Sequence, residues 1–221
     1  MTSIKKTKKS AVAVKDAPHA GVLPKECEER IDIERTDLYP ADMIERHRAR
    51  YLWASTKVFE RFVRAGWTLD AACGTGYGSH LLLGTSAKVI GLDCDKGALE
   101  HARKRFGGSL LNFRQADFVK CLPIHTEQID AAVTIETIEH LTGDSAAFFL
   151  SELKRVLVSG GLLLLSTPAF DEARGLTSTF HVKEYTPNEM IALVTAVGFV
   201  DVQTEDLPDL PGFIFLTARK P

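Results

Sequence analysis

Cysteine is scarce, neither sign of charge dominates, and no apolar run is long. The four cysteines stand at 27, 73, 94 and 121, with no CxxC pair and no metal-finger spacing. That excludes a disulfide scaffold or zinc ribbon and points to a reducing compartment. Lys and Arg number 27 against 29 Asp and Glu, a formal net charge of −2. A chain so balanced does not wrap nucleic acid by bulk attraction. No apolar stretch approaches the length of a membrane span. Lys5, Lys6, Lys8 and Lys9 are followed only by Ala11 to Val14, too short for a signal-peptide core. Internal repeats and low-complexity domains are missing too. The expectation is a cytoplasmic globular protein.

What is present fits one domain. With 221 residues and 45% hydrophobic content, the chain can bury a substantial core. Residues 1–36 read as a mobile polar tail and 37–221 as the folded unit. A helix is predicted from Met43 to Arg64, its core face built from Met43, Tyr51, Leu52, Ala54, Val58, Phe59 and Phe62. Apolar runs then alternate with helical patterns. Strands are expected at Trp67–Ala72, Lys88–Leu92, Leu110–Ala116, Ile129–Ile135 and Gly160–Ser166. Gly160 and Gly161 are expected to stop the helix of residues 145–156 and open the fifth strand. Phe199–Glu205 and Phe213–Thr217 can close the chain as an antiparallel hairpin. The alternation predicts βαβ units in an α/β sheet.

Residues 69 to 79 read Leu-Asp-Ala-Ala-Cys-Gly-Thr-Gly-Tyr-Gly-Ser. A strand that breaks into alternating glycines lets a ligand lie against backbone, because no Cβ intervenes. Gly74, Gly76 and Gly78 are spaced GxGxG, and Ser79 occupies the place of a dinucleotide fingerprint's third glycine. The turn suits a nucleotide-like ligand but disfavours an NAD-dependent dehydrogenase. Asp93 closes the second strand 19 positions after Gly74. An acid about 20 residues beyond such a turn can accept from both vicinal hydroxyls of a ribose. Asp95 is placed to cap the next helix. Cys73 and Cys94 flank these turns as small packing residues.

The segment Asp70-Ala-Ala-Cys-Gly-Thr-Gly-Tyr-Gly resembles the first motif of the class I S-adenosylmethionine-dependent methyltransferases, and the resemblance runs from about residue 40 to the C-terminus. It implies a Rossmann-like, doubly wound, seven-stranded sheet, mostly parallel with a reversed last strand. It also implies a cofactor site made by Arg50, Tyr51, Asp70, Ala72, Gly74, Thr75, Gly76, Asp93, Cys94, Asp117, Phe118 and Ile135. In the family the acid before the glycines helps hold the cofactor amino group. The acid in the place of Asp117 accepts from the adenine amine, while Phe118 packs on the ring. An arginine ahead of the glycine turn meets the cofactor carboxylate; Arg50-Tyr51 matches best and Arg48 is the rival.

Directly after the fourth strand stands Glu136-Thr-Ile-Glu139-His140. If it begins a helical turn, Glu136, Glu139 and His140 share one face at i, i+3 and i+4. Two carboxylates and an imidazole can hold a hard divalent cation such as magnesium. The ExxEH pattern resembles the metal segment of ubiquinone-biosynthesis O-methyltransferases and of small-RNA 2′-O-methyltransferases. In the RNA enzymes a later histidine joins, and His181 is its counterpart here. Without metal, His140 or His181 can act as a general base.

The expected function is therefore methyl transfer from S-adenosylmethionine to a small-molecule hydroxyl, on a sugar, a quinone-like phenol or a natural product. The Asn/Asp-Pro-Pro-Tyr/Phe sequence of base and amide N-methyltransferases is missing after strand four, where Ile135-Glu136-Thr137-Ile138 stands. An RNA 2′-O-methyltransferase is the first alternative, although no dense basic face is visible. A non-catalytic cofactor-binding scaffold is the second. No nucleic-acid partner is expected, and the oligomeric state is left open.

Overall fold

A computed structural model describes residues 39–221. The polar tail expected over residues 1–36 lies outside the described residues. The chain runs α1 (Ala41–Phe62), β1 (Ala65–Ala71), α2 (Tyr77–Leu82), β2 (Ser86–Asp93), α3 (Lys96–Phe106), β3 (Leu111–Gln115) and β4 (Ile129–Ile135). It continues through α4 (Gly143–Val156), β5 (Leu157–Pro168), α5 (Pro187–Ala196), β6 (Val200–Glu205) and β7 (Phe213–Arg219).

The seven strands form one sheet in the order β3-β2-β1-β4-β5-β7-β6. β1 pairs in parallel with β2 on one side and β4 on the other, whereas β7 runs antiparallel to both β5 and β6. This is the expected mostly parallel sheet with a reversed last strand. Central strands are covered on both faces, so Ile129–Ile135 and Leu162–Leu165 are near-continuous apolar runs. One core layer gathers Phe149, Leu150, Leu153, Met190 and Val194 of α4 and α5. The opposite layer gathers Tyr51, Ala54 and Val58 of α1 with Leu82, Leu99 and Ala102. The edge strand β6 is largely exposed and carries Asp201, Gln203 and Glu205, charges and amides that discourage further strand pairing.

Two expectations need correction. The buried face of α1 holds Ile44, Arg50, Tyr51, Trp53, Ala54 and Val58, while Met43, Leu52 and Phe59 are 44%, 47% and 54% exposed. At about 100° per residue, Leu52 and Phe59 sit well round the helix from the stripe through 44, 51, 54 and 58. Apolar character by itself does not fix which face is buried. Second, Gly160 and Gly161 do not stop α4, which ends at Val156 and passes straight into extended Leu157. Gly160 has φ +74°, and the β4–β5 register shifts between Ile129 and Ala131, so the pair forms an irregularity inside β5. A Cβ on Gly161 would stand 2.8 Å from the Val158 carbonyl. No helix crosses from β3 to β4. That connection is held instead by α4: Glu152 accepts from Leu122 N at 2.7 Å, and Arg155 donates to the carbonyls of Ile124 and Leu122 at 3.0 and 3.2 Å.

Gly78 packs against Tyr51 so closely that a Cβ there would fall within the ring's envelope. The last glycine of the GxGxG run is therefore required by α1–α2 packing. Overpacking of this kind costs about 1–3 kcal/mol. Gly78→Ala is expected to lower unfolding free energy by that amount in urea titration, and Gly78→Ala with Tyr51→Ala to cost less than the two changes summed. Simple additivity would remove the packing explanation.

Candidate functional site

The C-terminal ends of β1 and β4 lie side by side where the strand order reverses, the place at which open α/β sheets leave a crevice. Both strand ends are strained. Ala72, just after β1, has φ +72°, and Glu136, just after β4, has φ +52°, conformations that non-glycine residues rarely adopt. Two of the five non-glycine residues with positive φ among the described residues thus stand at these neighbouring strand ends, which makes the crevice the candidate site.

The glycine turn folds back on Asp93. One carboxylate oxygen of Asp93 accepts from Gly74 N at 2.8 Å, and the other accepts from Asp95 N at 2.9 Å. Asp95 in turn caps α3 through Ala98 N at 2.7 Å. Gly74 and Gly76 have φ +52° and +84°, and a Cβ on Gly76 would meet Ala102 and Phe113 at 2.7 Å. Thr75 is half-buried on this turn. The Cys94 carbonyl accepts from Gln115 at 3.0 Å, tying the ends of β2 and β3 together. Asp117 accepts from Val119 N at 3.2 Å and pairs with Lys120 at 3.0 Å. Phe118 is buried edge-on against Phe149 at 5.1 Å, and Ile135 is buried at the end of β4. The turns carrying Gly74, Thr75, Gly76, Asp93, Cys94, Asp117 and Ile135 thus follow the same edge of the sheet.

Asp70 and Tyr51 are placed differently. Asp70 is fully buried; one oxygen accepts from Tyr51 at 3.2 Å and the other from Ser79 at 2.6 Å. It ties β1 to α1 and α2, a role that Ser79 could have suggested, since a hydroxyl in the third-glycine position needs a partner. Burial raises the Asp70 pKa to about 7, with the Asp93 charge adding to the shift and the two hydrogen bonds opposing it. The folded state therefore holds a proton between pH 4 and 7 that the unfolded chain has released. Stability falls as pH rises through that window.

Arg50 is 6% exposed, its guanidinium 4.0 Å over the Phe213 ring and its Nε 3.5 Å from Glu136. Ser166 donates to the same Glu136 oxygen at 2.8 Å. Glu136 therefore links α1 to β5 across the crevice. His47 and Tyr77 share a hydrogen bond, and burial, aided by the Arg50 charge, lowers the His47 pKa to about 3. Arg48 is exposed on the outside of α1.

The helical face expected for the ExxEH segment does not form. Only Ile138–His140 is helical, a single 3-10 turn, and the left-handed Glu136 stands before it. Glu139 and His140 are joined instead by His181, with one ligand atom of each within 4.8 Å of the others. The two imidazoles lie 5.1 Å apart at 80°. His140 Nδ1 meets the Phe180 carbonyl at 3.2 Å, and Thr167 donates to Glu139 at 2.9 Å. Val182 N and Lys183 N both donate to the Glu139 carbonyl, at 2.7 and 3.1 Å, which brings the loop after β5 onto the strand-four segment. That loop also contains Glu184, a residue missed in the sequence although His181-x-x-Glu184 spacing signals it. Burial opposes charge on Glu184, but hydrogen bonds from Thr177 and His181 hold its carboxyl below the usual range.

Residues 69–165 match the protein family described as a methyltransferase domain. A probable S-adenosylmethionine-dependent methyltransferase of Mycobacterium tuberculosis is 36% identical over 138 residues, covering 61% of this chain and 48% of that protein. A malonyl-[acyl-carrier protein] O-methyltransferase of Hamiltonella defensa is 30% identical over 126 residues, covering 57% of this chain and 47% of that one. The chain thus spans about half the length of these curated relatives. The Burkholderia thailandensis 1,6-didemethyltoxoflavin-N1-methyltransferase, solved with 1,6-didemethyltoxoflavin and S-adenosylhomocysteine bound, shares the fold. Its TM-score is 0.62 at 21% identity, covering 85% of this chain and 87% of that chain. The glycine turn and the strand order agree with the methyltransferase-domain match over residues 69–165. Among the described residues no helix is long and apolar enough to cross a membrane.

Two outcomes follow. Asp70→Asn is expected to flatten the fall in melting temperature from pH 5 to pH 8; an unchanged slope would mean that Asp70 does not titrate there. Asp93→Ala is expected to weaken S-adenosylhomocysteine binding at least tenfold by calorimetry, about 1.4 kcal/mol, while far-UV circular dichroism is retained.

Proposed function

We propose that residues 37–221 form a catalytic unit that moves the S-adenosylmethionine methyl group to the hydroxyl of a small molecule. The observation that carries the reading is the meeting of Glu139, His140 and His181 beside the strand ends that form the crevice. The methyl of a sulfonium is already electrophilic, so transfer needs an acceptor aligned in line and relieved of its proton. The hydroxyl oxygen forms the new bond to carbon, the carbon–sulfur bond breaks with its electron pair going to sulfur, and the O–H proton passes to an imidazole. His140 suits that role. Its Nδ1 faces the Phe180 carbonyl at 3.2 Å, so the ring proton sits on Nδ1 and Nε2 keeps its lone pair. Glu139 favours the cationic form that results. On the cofactor side, Asp93 would hold the ribose, the Gly74–Gly76 turn the methionine portion, Asp117 and Phe118 the adenine, and Arg50 the carboxylate. A small acceptor agrees with the bound molecule of the Burkholderia enzyme, and oxygen chemistry with the name of the Hamiltonella relative.

The same cluster could instead hold a metal, His140 then serving as ligand in place of proton acceptor. The residues that would hold it are Glu139, His140 and His181, two imidazoles and one carboxylate rather than the two carboxylates first expected. That set suits a borderline cation such as zinc better than magnesium, which prefers oxygen ligands throughout. Bound there, such a cation would supply Lewis acidity to the acceptor oxygen. The joining of His181 also favours a second reading, in which the acceptor is a ribose 2′-hydroxyl of RNA.

The test is methyl transfer from labelled cofactor to a panel of phenols, sugars and short RNAs, with and without zinc. His140→Ala is expected to lower kcat about 100-fold or more while S-adenosylhomocysteine affinity stays unchanged. Transfer confined to RNA would replace the small-molecule reading, and equal loss of turnover and cofactor affinity would make His140 structural.

A further inference from the structure

We infer that Glu184 is a positioning residue that fixes the ring of His181, a member of the Glu139–His140–His181 cluster, with its proton on Nδ1 and Nε2 unprotonated. This rests on the acceptor-side reading above and adds a residue to it. Glu184 is 3% exposed, with a fully covered side chain, at the end of the loop between β5 and α5. One of its oxygens meets His181 Nδ1 at 2.7 Å and accepts from Thr177 N at 2.6 Å. The Thr177 hydroxyl donates to that oxygen as well, and lies 3.1 Å from His181 Nδ1. Arg174 pairs with the second oxygen at 3.5 Å. Residues 174, 177 and 181 of the loop are thus all gathered on one buried carboxylate.

The direction of the proton follows from the partners. An ionised carboxylate can only accept, so Nδ1 of His181 must carry hydrogen. The Thr177 hydroxyl spends its own proton on Glu184 and can only accept from the ring. A neutral His181 then has an unprotonated Nε2, as His140 has through the Phe180 carbonyl. Both rings are held at Nδ1 by the protein, the arrangement that orients imidazoles used as bases or as metal ligands. The loop is also closed at its base, where Ala169 bridges Tyr185 and Phe170 N donates to Tyr185 O at 2.8 Å. Glu184 stands directly before that bridge, so its carboxylate is supplied by an anchored stretch of backbone.

The experiment uses the full chain with 15N-labelled histidine, and reads the tautomer of His181 from long-range nitrogen–hydrogen correlations at a pH where the ring is neutral. His181→Asn identifies its signals. The expected result is Nδ1–H in the wild type and a shift to Nε2–H in Glu184→Leu, because the Thr177 hydroxyl, released from the carboxylate, can then donate to Nδ1. Retained S-adenosylhomocysteine affinity in that variant separates the effect from unfolding. A wild-type His181 protonated on Nε2 overturns the inference, and this holds even if Glu184→Leu fails to fold. So does a tautomer indifferent to Glu184→Leu. Conversion of the tautomer together with unchanged methyl transfer supports the assignment of Glu184 while removing His181 from the proposed chemistry.

Discussion

The carboxylate of Asp70 is the constraint on which the site is assembled. A buried carboxylate with both oxygens occupied fixes two partners relative to its own strand. Here the partners are Tyr51 and Ser79, so β1 sets the position of α1 and α2 together. Gly78 makes the same contact possible by leaving room for the Tyr51 ring. With Tyr51 held, its neighbour Arg50 lies against Phe213 and Glu136, and His47 meets Tyr77. The interaction is expensive in charge, since burial brings the Asp70 pKa to about 7. It persists because two hydrogen bonds accompany the burial and because several elements rely on it.

On the function proposed above, the crevice has two sides with different construction. On the cofactor side the backbone does most of the shaping: positive φ at Ala72, Gly74 and Gly76, and a carboxylate at Asp93 that holds the turn through Gly74 N. On the acceptor side the shaping falls to side chains. Glu139, His140 and His181 come from two segments, and each is held from behind by Thr167, the Phe180 carbonyl or Glu184. Backbone suits recognition of an invariant cofactor, whereas side chains on a loop can differ between acceptors on the same scaffold. The family match ends at residue 165, before the loop that carries His181 and Glu184.

The element types and the sheet were legible in the sequence. Ile129–Ile135 was read to the residue, since a fully buried parallel strand is a continuous apolar run with clear ends. Asp95 as a cap was legible because capping is local chemistry. The phase of α1 was not, because Leu52 and Phe59 are apolar yet sit round the helix from the buried stripe. Periodicity says that one face is buried, and the neighbours decide which. The glycines at 160 and 161 misled for a similar reason: a stop signal for a helix and an irregularity within a strand use the same residue.

The sequence by itself determined the alternating βαβ order, the glycine turn and the acids that end β2 and β3. These are local patterns, written in residues close together in the chain. Only the tertiary structure decided that Glu136 leaves its neighbours to face Arg50, so that the cluster is Glu139, His140 and the His181 which the resemblance had suggested. A left-handed backbone at Glu136 breaks the helical face that spacing alone implied, and parallel strand pairing brings the later loop beside it. Contacts between segments some 40 residues apart have no period in the sequence. They exist only once the sheet has set which strand ends are neighbours.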